Sequence, residues 1–152
     1  MRESTYAFPV VISLHSISMG FLAGPYLALD LRLLGAAATL QLTDLRAFRV
    51  VTLTSFVVSL ASGLLLLASY PAKALTNELF YCKLGLIISA FTCHRLLDRL
   101  LPGPGPVPAE LTRRLKIYAC VSMVLWIGVI TAGRLLAYTH DILMTTDYPE
   151  LP

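Results

Sequence analysis

Charged residues are scarce in this chain. Asp, Glu, Lys and Arg make up 14% of its 152 residues, while 57% are apolar. An average soluble domain carries about 25% charged residues, so this balance excludes an ordinary soluble globular domain. Cysteines are few as well: Cys82, Cys93 and Cys120 occur in neither a C-x-x-C nor a C-x-x-C-H arrangement, which excludes the usual c-type haem attachment. Cys82 and Cys93 lie eleven residues apart, and two thiols three helical turns apart on one helix cannot bridge. No segment is rich in both charge and aromatics. The net charge of +3 is spread along the borders of apolar runs, so no nucleic-acid partner is implied.

What the chain has in quantity is long apolar runs. Residues 6–28, 48–70, 80–97 and 117–138 approach or exceed the roughly 20 helical residues that cross a bilayer core. Together they leave no room for a soluble domain. The expected fold is all-α: one polytopic domain over residues 1–152, an integral membrane four-helix bundle. The first run exceeds the 7–15 residues of a secretory signal core, only Arg2 precedes it, and three more runs follow; it reads as a span.

Orientation follows from Lys and Arg. Arg32, Arg46 and Arg49 follow the first span, and Arg99, Arg113, Arg114 and Lys116 follow the third, with Arg95 at its edge. The other side has only Arg2 and Lys73. Loops 29–47 and 98–116 are therefore expected in the cytoplasm and both termini outside.

Connections between the spans are short. Residues 33–45 favour helix and are expected to continue as an interfacial or connecting helix. Pro71 should end the second span, because proline cannot donate to the preceding turn. Thr76-Asn77-Glu78 reads as the cap and first turn of the third. Pro102-Gly103-Pro104-Gly105-Pro106 reads as an unstructured linker, and residues 140–152 as a short polar tail. Small residues recur every four positions at Ser16, Gly20 and Gly24, and again at Ser55, Ser59 and Gly63. Such rows let helix backbones approach closely in lipid, so both are expected to pack within the bundle.

Ionisable residues within the spans are the functional candidates, because a membrane span carries such groups at a cost. Lys83 and His94 are eleven residues apart, three helical turns plus about 20°, which places them on one stripe. At about 1.5 Å per residue, Lys83 lies roughly 5 Å from the outer face, Arg134 about 6 Å, His15 about 14 Å and His94 about 21 Å. Imidazoles from facing helices clamp haem in bundle cores, and a lysine ligates as its neutral amine. Each residue also has a purely structural reading. Lys83 snorkels outward and pairs with Glu78, and Arg134 does the same near Tyr138. His94 lies near the cytoplasmic interface, and His15 forms an interhelical hydrogen bond. A copper site built from Met19, Cys93 and His94 is a further alternative, since soft ligands select Cu(I). Lys83 and His94 are about 16 Å apart by helical rise, so they compete for the place opposite His15.

Specific residues also carry a family resemblance. Leu14-His15, Ala23-Gly24 and Asp30-Leu31-Arg32-Leu33 resemble the first helix of the HemJ/CopD-like membrane superfamily. Lys83-Leu84 with His94 eleven residues on is similar to the third helix of the HemJ-type protoporphyrinogen oxidases. The segments DLRLLG (30–35) and GRLLAY (133–138) look closer still to an uncharacterised family of small bacterial four-helix proteins in that neighbourhood. The chain departs from the oxidases at Ser18-Met19-Gly20, so the resemblance extends to fold and cofactor rather than to porphyrinogen oxidation. It implies haem b with His15 and Lys83 as axial ligands, and Arg134 suits a propionate. The expected function is electron transfer, or service as a haem-bearing subunit of a membrane redox complex. Quinone, porphyrin or a partner protein would then exchange electrons with it. A cofactor-free structural or accessory subunit is the competing class.

Overall fold

A computed structural model describes residues 6–37, 39, 48–69, 71–101 and 109–145, without the side chains of 72, 73 and 137–145. Among these residues five helices occur: α1 (Ala7–Leu34), α2 (Arg49–Ser69), α3 (Pro71–Leu75), α4 (Glu78–Leu100) and α5 (Ala109–Thr145). All but α3 contain a stretch long and apolar enough to cross a membrane. The all-helical expectation holds; α2 stays within its expected span, while the other three long helices run past theirs. α1 extends to Leu34 and α5 begins at Ala109, well before residue 117.

The helix ends follow local chemistry. α1 stops where Gly35 takes φ 92, a left-handed conformation that costs glycine nothing. The Gly35 and Ala36 amides then donate back to the carbonyls of Arg32 and Leu31. The connecting helix expected over 33–45 is therefore interrupted at Gly35, and most of its remainder lies outside the described residues. α2 ends at Ser69 as expected, but Pro71 opens the short helix α3 rather than a loop, a position where its missing N–H is no loss. Asn77 caps α4, its Oδ1 accepting from the Leu79 amide at 2.9 Å. Residues 102–106, the expected linker, lie outside the described residues. Part of the expected polar tail is helix, because α5 continues to Thr145.

Contacts between helices fix the topology. His15 near the start of α1 meets Ser59 and Ser62 late in α2, so these two run antiparallel. Lys83 early in α4 lies against Gly133 late in α5, while Cys93 meets Tyr118, so this pair is antiparallel too. Tyr26 contacts both His94 of α4 and Trp126 of α5. Chain direction therefore alternates through the four long helices. α1 is the shared element, packing on both α2 and α5, and α5 packs on α4.

The apolar core joins α1, α4 and α5. Leu22, Ala23, Ala90, Trp126 and Val129 form one cluster, and Leu29, Leu97 and Leu115 a second. α2 is attached differently, through a seam of buried Ser55, Ser59 and Ser62 with Gly63. This is one of the two expected small-residue rows. The other row points outward: Ser16, Gly20 and Gly24 are exposed, and a Cβ on either glycine would meet nothing within 4 Å. The Ser16 hydroxyl donates to Ile12 of its own helix at 2.9 Å. Small size permits close approach without enforcing it, and α1 presents its His15–Leu22–Tyr26 side to the bundle instead. Elsewhere the exterior is apolar, with Val10, Ile17, Leu53, Leu60 and Val124 all more than half exposed. Such a surface suits lipid far better than water.

Candidate functional site

His15 is held by α2. Its Nδ1 lies 3.0 Å from the backbone oxygen of Ser59 and 3.0 Å from Ser62 Oγ. A carbonyl oxygen only accepts, so Nδ1 carries the proton and donates. The Ser62 hydroxyl donates to the Val58 carbonyl at 2.7 Å, leaving its lone pairs to receive the same Nδ1–H. The opposite nitrogen, Nε2, is then the one with a free lone pair. Metal-ligating imidazoles commonly have this arrangement, with the second nitrogen tied to a carbonyl or carboxylate. Gly63 makes room for the ring, since a Cβ there would fall 3.2 Å from His15 Cε1. From within α1, Ser18 donates to the His15 carbonyl at 2.9 Å.

Lys83 occupies the equivalent level on α4. It is half-buried, and its Nζ sits where a Cβ on Gly133 would approach to 3.4 Å. The amine is within electrostatic reach of His15. Among the described residues no ion pair joins Lys83 to Glu78, so the snorkelling pair expected from the sequence does not form. Arg134 is exposed and directly follows Gly133. The side chain of Tyr138, its expected interfacial neighbour, lies outside the described residues.

His94 lies at a different level. It is 5% exposed, and its ring centroid is 4.1 Å from that of Tyr26. Tyr26 is eleven residues beyond His15 on α1, about 16 Å along the axis by helical rise. The interfacial reading for His94 fits in part, because Asp98 on the next turn reaches to within 4.0 Å of its Nε2. Its Nδ1 is buried with no hydrogen-bond partner.

The copper alternative does not assemble. Cys93 is buried, with its thiol turned to the Tyr118 carbonyl at 3.5 Å, while Met19 packs with the core cluster around Leu22. Cys82 and Cys120 are exposed and free. Among the described residues no group of three or more His, Cys, Asp or Glu side chains is placed to hold a metal ion. A haem iron needs no such group, because the porphyrin supplies four of its donors. The His15 and Lys83 side chains stand at one level of the bundle, each against a glycine of a neighbouring helix.

Two features escape a reading of the sequence alone. The first is Asp30, which is 0% exposed, with neither carboxylate oxygen hydrogen-bonded. Ser122 of α5 stands within hydrogen-bonding reach of the carboxylate, in a looser geometry than the bonds described above. A first span ending at residue 28 puts Asp30 in a loop, whereas the extra turns of α1 carry it into the bundle. The second feature is a cleft of about 970 Å³ between α2 and α4, walled by Tyr26, Phe56 and Phe91 and reaching Arg49, His94, Arg95 and Asp98. It exists because α2 packs on α1 and stands off from α4, the two being bridged by the Phe56–Phe91 ring contact at 5.5 Å. Residue spacing along one helix cannot show a gap between two others.

The chain matches no family model, no curated protein and no solved structure.

Proposed function

We propose that this chain is a haem b-binding integral membrane protein serving electron transfer, either alone or as the haem-bearing subunit of a membrane redox complex. The observation that carries this reading is the His15 Nδ1–Ser59 carbonyl hydrogen bond, which leaves Nε2 as a free donor inside the bundle. His15 is the first axial ligand. Lys83 is the second, supported by its place across from His15, by the absence of an ion pair to it among the described residues, and by the HemJ-type spacing. His94 is disfavoured for that role because it contacts Tyr26, three turns further along α1. Arg134, one residue past Gly133, is the cation nearest at hand for a propionate. Bound haem supplies a one-electron iron couple whose potential depends on its ligands and surroundings. The protein's own part is to orient the His15 ring through Ser59 and Ser62 and to exclude water with apolar helices. In this reading loops 29–47 and 98–116 face the cytoplasm of a bacterial inner membrane, and both termini lie outside. The electron donor or acceptor is a quinone, a porphyrin or a partner protein.

Absorbance spectra of the detergent-solubilised protein, oxidised and reduced, test the reading. A Soret band and a reduced alpha band are expected. Both should disappear in His15→Ala, change in Lys83→Ala and persist in His94→Ala. No Soret band in protein isolated from its native membrane would overturn it.

One observation favours a second reading, a cofactor-free accessory subunit. The row Ser16, Gly20 and Gly24 faces outward with open space above both glycines, as a helix-docking seam for another membrane protein would. Purification as a monomer with haem would remove the need for it.

A further inference from the structure

The cleft between α2 and α4 has no role in the reading above. It lies about three turns from the level of His15 and Lys83. Its volume of about 970 Å³ falls at the upper end of the ~300–1,000 Å³ usual for small-molecule sites. α2 and α4 meet at the Phe56–Phe91 contact and diverge beyond it, so the cleft is bounded by two helices whose outer faces are apolar. Its inner walls are aromatic. Tyr26 stacks on Trp126 at 5.2 Å and 13° between planes, and Phe91 meets Tyr26 edge-on at 5.9 Å and 88°. Trp126 lies behind Tyr26, so the cleft presents Tyr26, Phe56 and Phe91 as aromatic contact surface for a planar ring.

The polar part of the cleft is rich in donors. Arg49 and Arg95 line it, and among the described residues neither is in an ion pair. His94 lines it too, 5% exposed, with Nδ1 buried and unpartnered. A buried polar atom without a partner costs free energy, so a ligand that satisfies it is stabilised there. The Asp98 carboxylate offsets one of the two guanidiniums, so the cleft is a mixed polar site and not a purely cationic one. A planar, apolar ring with carbonyl acceptors and no charge matches all of these groups.

We propose that this cleft binds the ring of a lipid-soluble quinone, with the carbonyls facing His94 and Arg49 and the apolar tail leaving between α2 and α4. The proposal shares the membrane-redox reading above but does not depend on haem being bound.

Trp126 is the only tryptophan in the chain, and it stacks on Tyr26, a cleft wall. Quinones accept an electron from excited indole at short range, so an occupied cleft quenches Trp126 emission. Titrating decylubiquinone into the full-length protein in detergent should give saturable quenching. His94→Gln should raise the half-saturation concentration about three- to tenfold, the loss of one hydrogen bond. Arg49→Gln, an exposed position at the start of α2 whose change leaves the core intact, should raise it similarly, while Val124→Ala on the outer face should not. Linear, non-saturating quenching overturns the proposal, as does a half-saturation unchanged in both cleft variants. Abolition of the quenching by dioleoylphosphatidylglycerol also overturns it and makes the cleft a phospholipid headgroup site. Saturable quenching without a Soret band sinks the haem reading alone, and a Soret band without saturable quenching sinks this proposal alone.

Discussion

The imidazole of His15 donates from Nδ1 to the backbone carbonyl of Ser59, 3.0 Å away on the neighbouring helix. A side-chain acceptor can be deleted by mutation, whereas this carbonyl cannot, so the tautomer of His15 is built into the α1–α2 seam. Ser62 supplies a second acceptor at 3.0 Å. Replacing it with alanine should leave His15 in place but less firmly oriented. In Ser62→Ala, haem affinity should fall about 10- to 100-fold, the usual effect of losing a partner behind a metal ligand. Haem-titration of the depleted protein measures this. Unchanged affinity would mean that the Ser59 carbonyl alone holds the ring.

Gly63 and Gly24 make a matched pair for a packing test. A methyl group on Gly63 meets His15 Cε1 at 3.2 Å, whereas one on Gly24 meets nothing within 4 Å. Gly63→Ala is expected to destabilise the protein by about 1–3 kcal/mol through overpacking. Gly24→Ala should be neutral or gain about 0.5–1 kcal/mol from its helix preference. Thermal melting in detergent separates them, and equal melting temperatures would contradict the seam.

Asp30 is fully buried, and among the described residues its oxygens have no partner in good hydrogen-bond geometry, Ser122 being within looser reach. A buried polar atom in that state costs about 1–3 kcal/mol, and a neutral amide of the same shape is cheaper to bury than a carboxylate. Asp30→Asn is therefore expected to melt no lower than the parent, and possession of a higher melting temperature is the predicted direction. A clear drop would show that the carboxyl group itself is required where it sits.

Trp126 joins two contacts in one fully buried side chain: it stacks on Tyr26 and meets Phe91 edge-on. Trp126→Ala should cost about 3–5 kcal/mol, the range for deleting a buried large aromatic. Trp126→Phe should cost less. A loss below about 1 kcal/mol for the alanine variant would mean that this cluster is not the centre of the core.

Sidedness is testable with reporter fusions. With both basic loops in the cytoplasm, alkaline phosphatase fused after residue 105 should be inactive and the same enzyme fused after residue 75 active. The reverse pattern would invert the bundle.

Four spans were legible because a run of apolar residues needs no partner to be recognised. Their ends were not, since Leu29 to Leu34 continue the helix past a charged Asp30 whose surroundings are supplied by α5. His15, Lys83 and His94 stood out as costly groups, and their spacing correctly put Lys83 and His94 at different levels of one helix. What faced each of them was hidden. Ser59 and Gly63 look like ordinary packing residues until α1 is laid against α2, and the Ser16–Gly20–Gly24 row has the same pattern while facing outward. A periodic pattern identifies a face of its own helix, and only the neighbouring helix decides whether that face is used.

The two helix pairs also repeat one arrangement. His15 on α1 lies against Gly63 of α2, and Lys83 on α4 lies against Gly133 of α5; both first helices run in the same direction. This is the relation expected of two halves turned about an axis along the bundle, with each half setting a nitrogen-bearing side chain against a glycine between its helices. Under full two-fold symmetry, the packing of α1 on α5 would have a counterpart in α4 on α2. Among the described residues that counterpart is much weaker, with Phe56 of α2 meeting Phe91 of α4. The α2–α4 opening is thus a broken symmetry: the halves agree about the centre and disagree about one flank, so a molecule arriving from the lipid meets two different sides.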